Sequence, residues 1–213
     1  ASDVYKRQVD EDIKLDFGIN AALRNRFEKI NRKKLTAFCH ENGVSENVVF
    51  LTAYNYCISL FSNEKDTVST SIHSGRPDSR WNRLAGPLFR TYYFRYTENK
   101  EETVAEMLKR SGCQIMETMR CYMSNLHADE MFFQYQGDIL NINTIGGYPA
   151  ERQRIQLDSL PFHLQVFSDD KGYYYELRYW ENRFDRQQLQ VFMTAVECVA
   201  EAMICLLYTS DAA

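Results

Sequence analysis

Residues 69–96, from Ser69 to Tyr96, read STSIHSGRPDSRWNRLAGPLFRTYYFRY, and this stretch decides the fold. The run Thr67 to Ile72 is rich in β-branched residues and predicts a strand. It ends in Gly75-Arg76-Pro77, a turn signal. Gly86 follows inside Leu84-Ala85-Gly86-Pro87-Leu88-Phe89-Arg90-Thr91, and a second strand is predicted through Tyr96. Two strands joined by a glycine-marked loop then need helices to cover them.

Those helices are legible on both sides. Arg32 to Asn42 reads as a helix closed by Gly43, which suits a left-handed terminal position. Ser45 is placed to cap a second helix from Glu46 to Phe61. That helix is apolar nearly all round, from Val48 to Phe61, so it is expected between layers. Asn99 and Glu102 have capping spacing before a long helix with Val104, Leu108, Ile115, Met119 and Met123 on helical spacing. Met131 to Gln136 predicts a strand, and residues 137–158 a loop around Gly146-Gly147 and Pro149. Pro161–Ser168 and Tyr173–Trp180 predict a hairpin about Asp169-Asp170-Lys171-Gly172. Asp185 with Gln188 caps a last helix, whose apolar stripe is Leu189, Phe192, Val196, Val199 and Met203. The order predicts an α/β sandwich, a mixed sheet flanked by helices.

The two ends carry a different signal. Ala1–Gln8 can be encoded by a DNA whose reverse complement, shifted by one base, translates to Cys205–Ala212. That sequence resembles a transposase adapter. Residues 1–8 and 205–213 are therefore expected to be adapter-derived, leaving residues 9–204 as the native stretch.

Composition narrows the function classes. The net charge of −4 argues against nonspecific nucleic-acid binding. No apolar run approaches the ~20 residues of a membrane span, so no membrane partner is expected. Within residues 9–204 the cysteines are Cys39, Cys57, Cys113, Cys121 and Cys198. Their odd number and lack of CxxC spacing suggest reduced thiols in a cytoplasmic enzyme. His40, His73, His127 and His163 show no metal-ligand spacing.

The ordered motifs resemble the C-terminal lobe of the condensation domains of nonribosomal peptide synthetases. In that family a strand ends in Gly-Arg, and Leu-Ile-Gly-x-Phe-x-Asn-Thr precedes a strand ending in Leu-Arg. Leu84, Gly86, Thr91, Phe94 and Arg95 fall in register, while Leu88 replaces the aromatic and Arg90 the asparagine. Phe133-Gln134-Tyr135-Gln136-Gly137 stands where the family has Phe-Asn-Tyr-x-Gly, and Leu177-Arg178-Tyr179 with Phe184-Asp185 resembles its ending. Of the family's His-Gln-Asp-x-Pro-Phe motif only His127 and Asp129 remain.

The resemblance implies a chloramphenicol acetyltransferase-like fold of two lobes around a tunnel. It implies acyl transfer between carrier-bound substrates, forming an amide or ester. The His-His-x-x-x-Asp-Gly motif belongs to the N-terminal lobe and is not found in this sequence, so this lobe alone is expected to be inactive, with no catalytic residue of its own. No cofactor is expected to bind directly; phosphopantetheine arrives on carrier domains. The implied partners are peptidyl or aminoacyl carriers, the N-terminal lobe and an adenylation domain in the same chain. The same resemblance implies that Arg76 pairs with the aspartate of the absent motif. It places Gln134 along the tunnel, Arg90 as a determinant of acceptor preference and His73 in the strand–loop beside Arg76. The basic run Arg32-Lys33-Lys34, near Arg24 and Arg26, offers either a carrier-docking patch or a solvated helix face. A free-standing acyltransferase using coenzyme A thioesters and a catalytically dead recruitment domain are alternative readings of the same fold.

Overall fold

The computed structural model describes residues 19–76, 79–86, 88–120, 131–138, 144–145, 147–150 and 160–210. The N-terminal adapter-like octet, His127 and Asp129 lie outside the described residues. Among the described residues, eight strands and four α-helices follow in the order β1 (Asn20–Arg26), α1 (Arg32–Asn42), α2 (Glu46–Ser62), β2 (Asp66–His73), β3 (Arg90–Thr97), α3 (Val104–Arg120), β4 (Met131–Gly137), β5 (Thr144–Ile145), β6 (Tyr148–Pro149), β7 (Phe162–Asp169), β8 (Gly172–Trp180) and α4 (Arg186–Ser210). A 3-10 turn, Ser79–Arg83, lies between β2 and β3.

Six strands form one mixed sheet in the order β1-β8-β7-β4-β2-β3, and β5-β6 is a small separate hairpin. β4 runs parallel to both its neighbours, β2 and β7, while the outer pairs are antiparallel. The helices pack in one layer, with α2 against β2, β3, β4 and α4. Tyr54 explains why α2 is apolar all round: its ring meets Phe133 and Phe162 of the sheet and Phe192 of α4. Fully burying an apolar side chain such as Phe133 contributes roughly 1.5–3 kcal/mol. α4 is long and apolar enough, over Arg186–Cys205, to cross a membrane by length and composition. That exceeds the sequence expectation, yet its Leu189, Phe192, Met193, Val196 and Ala200 are buried in the core.

The predicted caps are observed at three helices. Gly43 takes φ +63° after α1, Ser45 Oγ accepts from Val48 N–H at 3.3 Å, and Asp185 Oδ1 accepts from Gln188 N–H at 2.9 Å. The cap of α3 differs from the expectation. Thr103 and Glu106 form the reciprocal pair: Glu106 Oε2 accepts from Thr103 N–H at 2.9 Å, and Thr103 Oγ1 from Glu106 N–H at 3.3 Å. Asn99 instead makes a turn onto Glu101 N–H, and Glu102 grips Arg110 at 2.8 Å. Two overlapping signatures competed, and the one nearer the apolar stripe won. Thr103→Ala is therefore expected to cost about 1 kcal/mol in thermal unfolding, and Asn99→Ala clearly less.

β1 is an edge strand that the sequence pattern did not announce. Its run NAALRNR buries only Leu23 deeply, and it pairs with β8 at the end of the sheet. Within the region expected to be a loop, Gly147 (φ +85°) turns the short β5-β6 hairpin.

Candidate functional site

Three parallel strands, β2, β4 and β7, end along the same side of the sheet. In open α/β sheets ligands bind outside such carboxyl ends. The β2–β4 seam is short: only Thr70↔Phe132 and Ser71↔Phe133 are paired, although β2 continues to His73 and β4 to Gly137. The two strands part beyond Ser71 and Phe133, with Ile72 and His73 on one lip and Gln134 and Tyr135 on the other.

The loop leaving β2 is built by Gly75 and Arg76. Gly75 has φ +66°, and a Cβ there would lie 1.6 Å from the Leu88 carbonyl oxygen. Only glycine lets the backbone come so close. The Arg76 guanidinium donates to the carbonyls of Leu84 and Gly86, each at 3.2 Å, and of Ser74 at 3.3 Å. Arginine's planar fork can serve several acceptors at once, so Arg76 ties the start of the loop to its end.

His73 faces the helix side, beside Tyr92 and opposite Arg90 in the β2–β3 register. Its Nδ1 accepts from Gly75 N–H at 3.0 Å. In the neutral ring the proton therefore resides on Nε2, as a donor. Burial, then the charge of Arg90, holds its pKa below the ordinary histidine value. Arg90 itself is exposed at the start of β3.

Gln134 points to the opposite face, because its neighbours Phe133 and Tyr135 meet α2 rings. Its Oε1 accepts from Gln165 Nε2 at 2.9 Å. The structure thus brings His73, Arg76 and Arg90 together around one loop and sets Gln134 across the seam from them.

The row containing Gln134 continues over residues that sequence reasoning did not single out. Gln165 is buried, and Glu176, 5% exposed, lies next along the register. Glu176 accepts from Arg24 Nε at 2.8 Å and from Arg178 Nε at 2.7 Å. Burial alone raises a carboxyl pKa, but the two arginines outweigh it and hold Glu176 below its usual value. The signal was present as alternation: His163 and Gln165 interrupt the apolar run of β7 at every second position, and Glu176 and Arg178 do so in β8.

On the helix side, the Glu46 carboxylate at the start of α2 accepts from Tyr135 Oη and, at 2.9 Å, from Thr36 Oγ1. Burial first, then Glu46, pushes the Tyr135 phenol up. This contact anchors β4 just beyond Gln134. Of the basic run, Arg32 donates to the Asp169 carbonyl at 2.9 Å, and nearby Arg26 pairs with the Asp169 carboxylate. Those two arginines therefore hold the β7–β8 turn.

The family comparison agrees with this architecture. Residues 19–206 match the condensation domain family, which is most of the chain. The chain belongs to the condensation domain family. A search of curated proteins finds no match. Among solved structures, it is similar to a four-domain nonribosomal peptide synthetase bound to AMP and glycine, with a TM-score of 0.71, 14% identity, 88% of this chain covered and 17% of that one. It is similar to the EpoB cyclization-docking bidomain from Sorangium cellulosum, with a TM-score of 0.67, 15% identity, and 87% and 41% covered. The PapA2 acyl transferase follows with a TM-score of 0.64, 6% identity, and 88% and 45% covered. At these identities the likeness shows the fold. The chain spans less than half the length of each of these three solved chains. In this condensation-family chain, the Gly75-Arg76 loop and the parted β2–β4 seam mark the carboxyl edge of the sheet.

Proposed function

We propose that this chain is the C-terminal lobe of a condensation domain, and that its parent protein joins a carrier-bound thioester donor to an amine or hydroxyl acceptor. The observation that carries this reading is the family match over residues 19–206, on a sheet whose carboxyl edge carries the Gly75-Arg76 loop. Acyl transfer of this kind requires a neutral nucleophile at the thioester carbonyl, a path for its proton and a stabilised oxyanion. The His-His-x-x-x-Asp-Gly motif of the other lobe supplies the first two of these in this reading. This lobe supplies one wall of the tunnel, with His73, Arg76 and Arg90 near the seam and Gln134 across it. Phosphopantetheine-bearing carriers deliver both substrates, an adenylation domain loads a carrier, and the reaction takes place in the cytoplasm. Residues 9–204 form the lobe, and the terminal segments are adapter-derived.

The test is a condensation assay of the parent enzyme with loaded carriers. Wild type is expected to form the amide or ester. Arg76→Ala removes the donors to Leu84 and Gly86, at a cost of about 1 kcal/mol in this exposed loop. Its turnover is expected to fall tenfold or more, with Arg76→Lys recovering only part of it, since lysine lacks the planar fork. Wild-type turnover and melting temperature in Arg76→Ala would remove Arg76 from the site.

A further inference from the structure

Lys29 lies in the turn between β1 and α1, and Cys198 lies on α4. Lys29 Nζ donates to Cys198 Sγ at 3.2 Å. The backbone beneath Lys29 is held in place. Phe27 and Ile30 on either side are buried, and Phe27 N–H donates to the Tyr173 carbonyl at 3.0 Å. Lys29 N–H itself donates to the Glu197 carboxylate at 2.6 Å, one residue before Cys198. Lys29 is exposed and Cys198 half-buried. The nearby thiol of Cys57 is different: it is fully buried, and burial, with a smaller contribution from Cys198, pushes it up to about 12. Of the two cysteines, Cys198 is the more exposed, and thiol reactivity follows exposure.

We propose that Cys198 and Lys29 form a self-acylation site for acyl thioesters, in which Cys198 takes the acyl group and passes it to Lys29. In the first step the Cys198 thiolate attacks the thioester carbonyl carbon. A new S–C bond forms, the donor's C–S bond breaks, and the leaving thiolate takes up the proton that Cys198 gave up. In the second step the neutral Lys29 amine attacks the acyl carbon on Cys198. A C–N bond forms, the S–C bond breaks, and the surplus amine proton passes to sulfur, restoring the thiol. Neither step needs an oxidant or reductant, and the amide is the more stable product.

The surroundings set this order. The contact with Cys198, then the charges of Glu201 and Glu197, raises the Lys29 pKa. Acylating Cys198 removes this contact and sets the acyl carbon beside Lys29, whose neutral fraction then attacks. The transfer is then intramolecular between groups already in contact, where effective concentrations are high. The site lies on the α4 side of the helical layer and does not depend on the condensation reading.

The experiment is incubation of the full 213-residue chain with acetyl-CoA at about pH 8, the amine-favouring side of neutrality, followed by site-resolved mass spectrometry. Lys29 is expected to be acetylated about tenfold or more above Lys33, Lys34 and Lys65, an intramolecular advantage. Cys198→Ser is expected to bring Lys29 to that background, and Lys29→Arg to leave a hydroxylamine-labile acetyl group on Cys198. Circular dichroism checks that each variant folds; if Cys198→Ser does not, the thioester in Lys29→Arg decides alone. Background acetylation of Lys29 in the wild type overturns the proposal. So does undiminished acetylation in a folded Cys198→Ser, or no thioester in Lys29→Arg.

Discussion

Gly75→Ala is expected to destabilise the chain by on the order of 3 kcal/mol, combining left-handed strain with a backbone collision. For a chain of this size that corresponds to a fall in Tm of roughly 6–12 °C. The reason is local. At φ +66° an added Cβ would lie 1.6 Å from the Leu88 oxygen and 2.6 Å from its carbonyl carbon. Both are backbone atoms, so no side chain can rotate away. Gly43 provides the control: its φ is +63° and nothing lies within 4 Å of a Cβ there. Gly43→Ala is expected to cost about 1 kcal/mol, the strain alone. Equal losses at the two positions would show that the approach to Leu88 contributes nothing and that the loop does not close as described.

Glu176→Ala is the second large effect. It removes the shared acceptor of Arg24 and Arg178 and leaves two partly buried guanidinium groups without it. Breaking a fully buried pair costs about 3–5 kcal/mol. The side chains of Arg24 and Arg178 are 34% and 18% exposed, which favours the lower end, about 3 kcal/mol. The pH dependence follows from the lowered carboxyl pKa. The contribution is fully present above the unfolded carboxylate value of about 4.3 and is lost as pH falls through the folded value. Thermal melts of Glu176→Ala should therefore show a smaller stability loss between pH 7 and pH 3 than the wild type. An unchanged acid profile would mean that the cluster is not the source of that loss.

Much of the fold was legible because local chemistry and tertiary packing agreed. α2 could be read as a core helix from composition, although it lies within the single helical layer and leaves Leu60 and Phe61 exposed, and Asp169 to Gly172 marked its hairpin without ambiguity. β1 was not legible: its polar run NAALRNR has one edge outward, so the alternation that marks a buried strand is faint. At α3, Asn99/Glu102 and Thr103/Glu106 both met the capping pattern, and spacing alone could not choose between them. The site followed the same division. Gly75-Arg76, His73 and Arg90 were placed on one strand–loop by sequence order and are neighbours in space. The acceptors of Arg76 are main-chain carbonyls of Leu84 and Gly86, which carry no side-chain signature. The Gln134–Gln165 contact depends on strand pairing across 31 positions, which periodicity within one segment does not report.

In the proposed function this chain is one lobe of a two-lobed condensation enzyme. The most direct measurement is long-read sequencing of the source DNA outward from this coding segment. The expected result is an open reading frame that continues upstream to an intact His-His-x-x-x-Asp-Gly motif, with carrier and adenylation domains beside it. A frame with no such motif and with unrelated neighbours on both sides would contradict it.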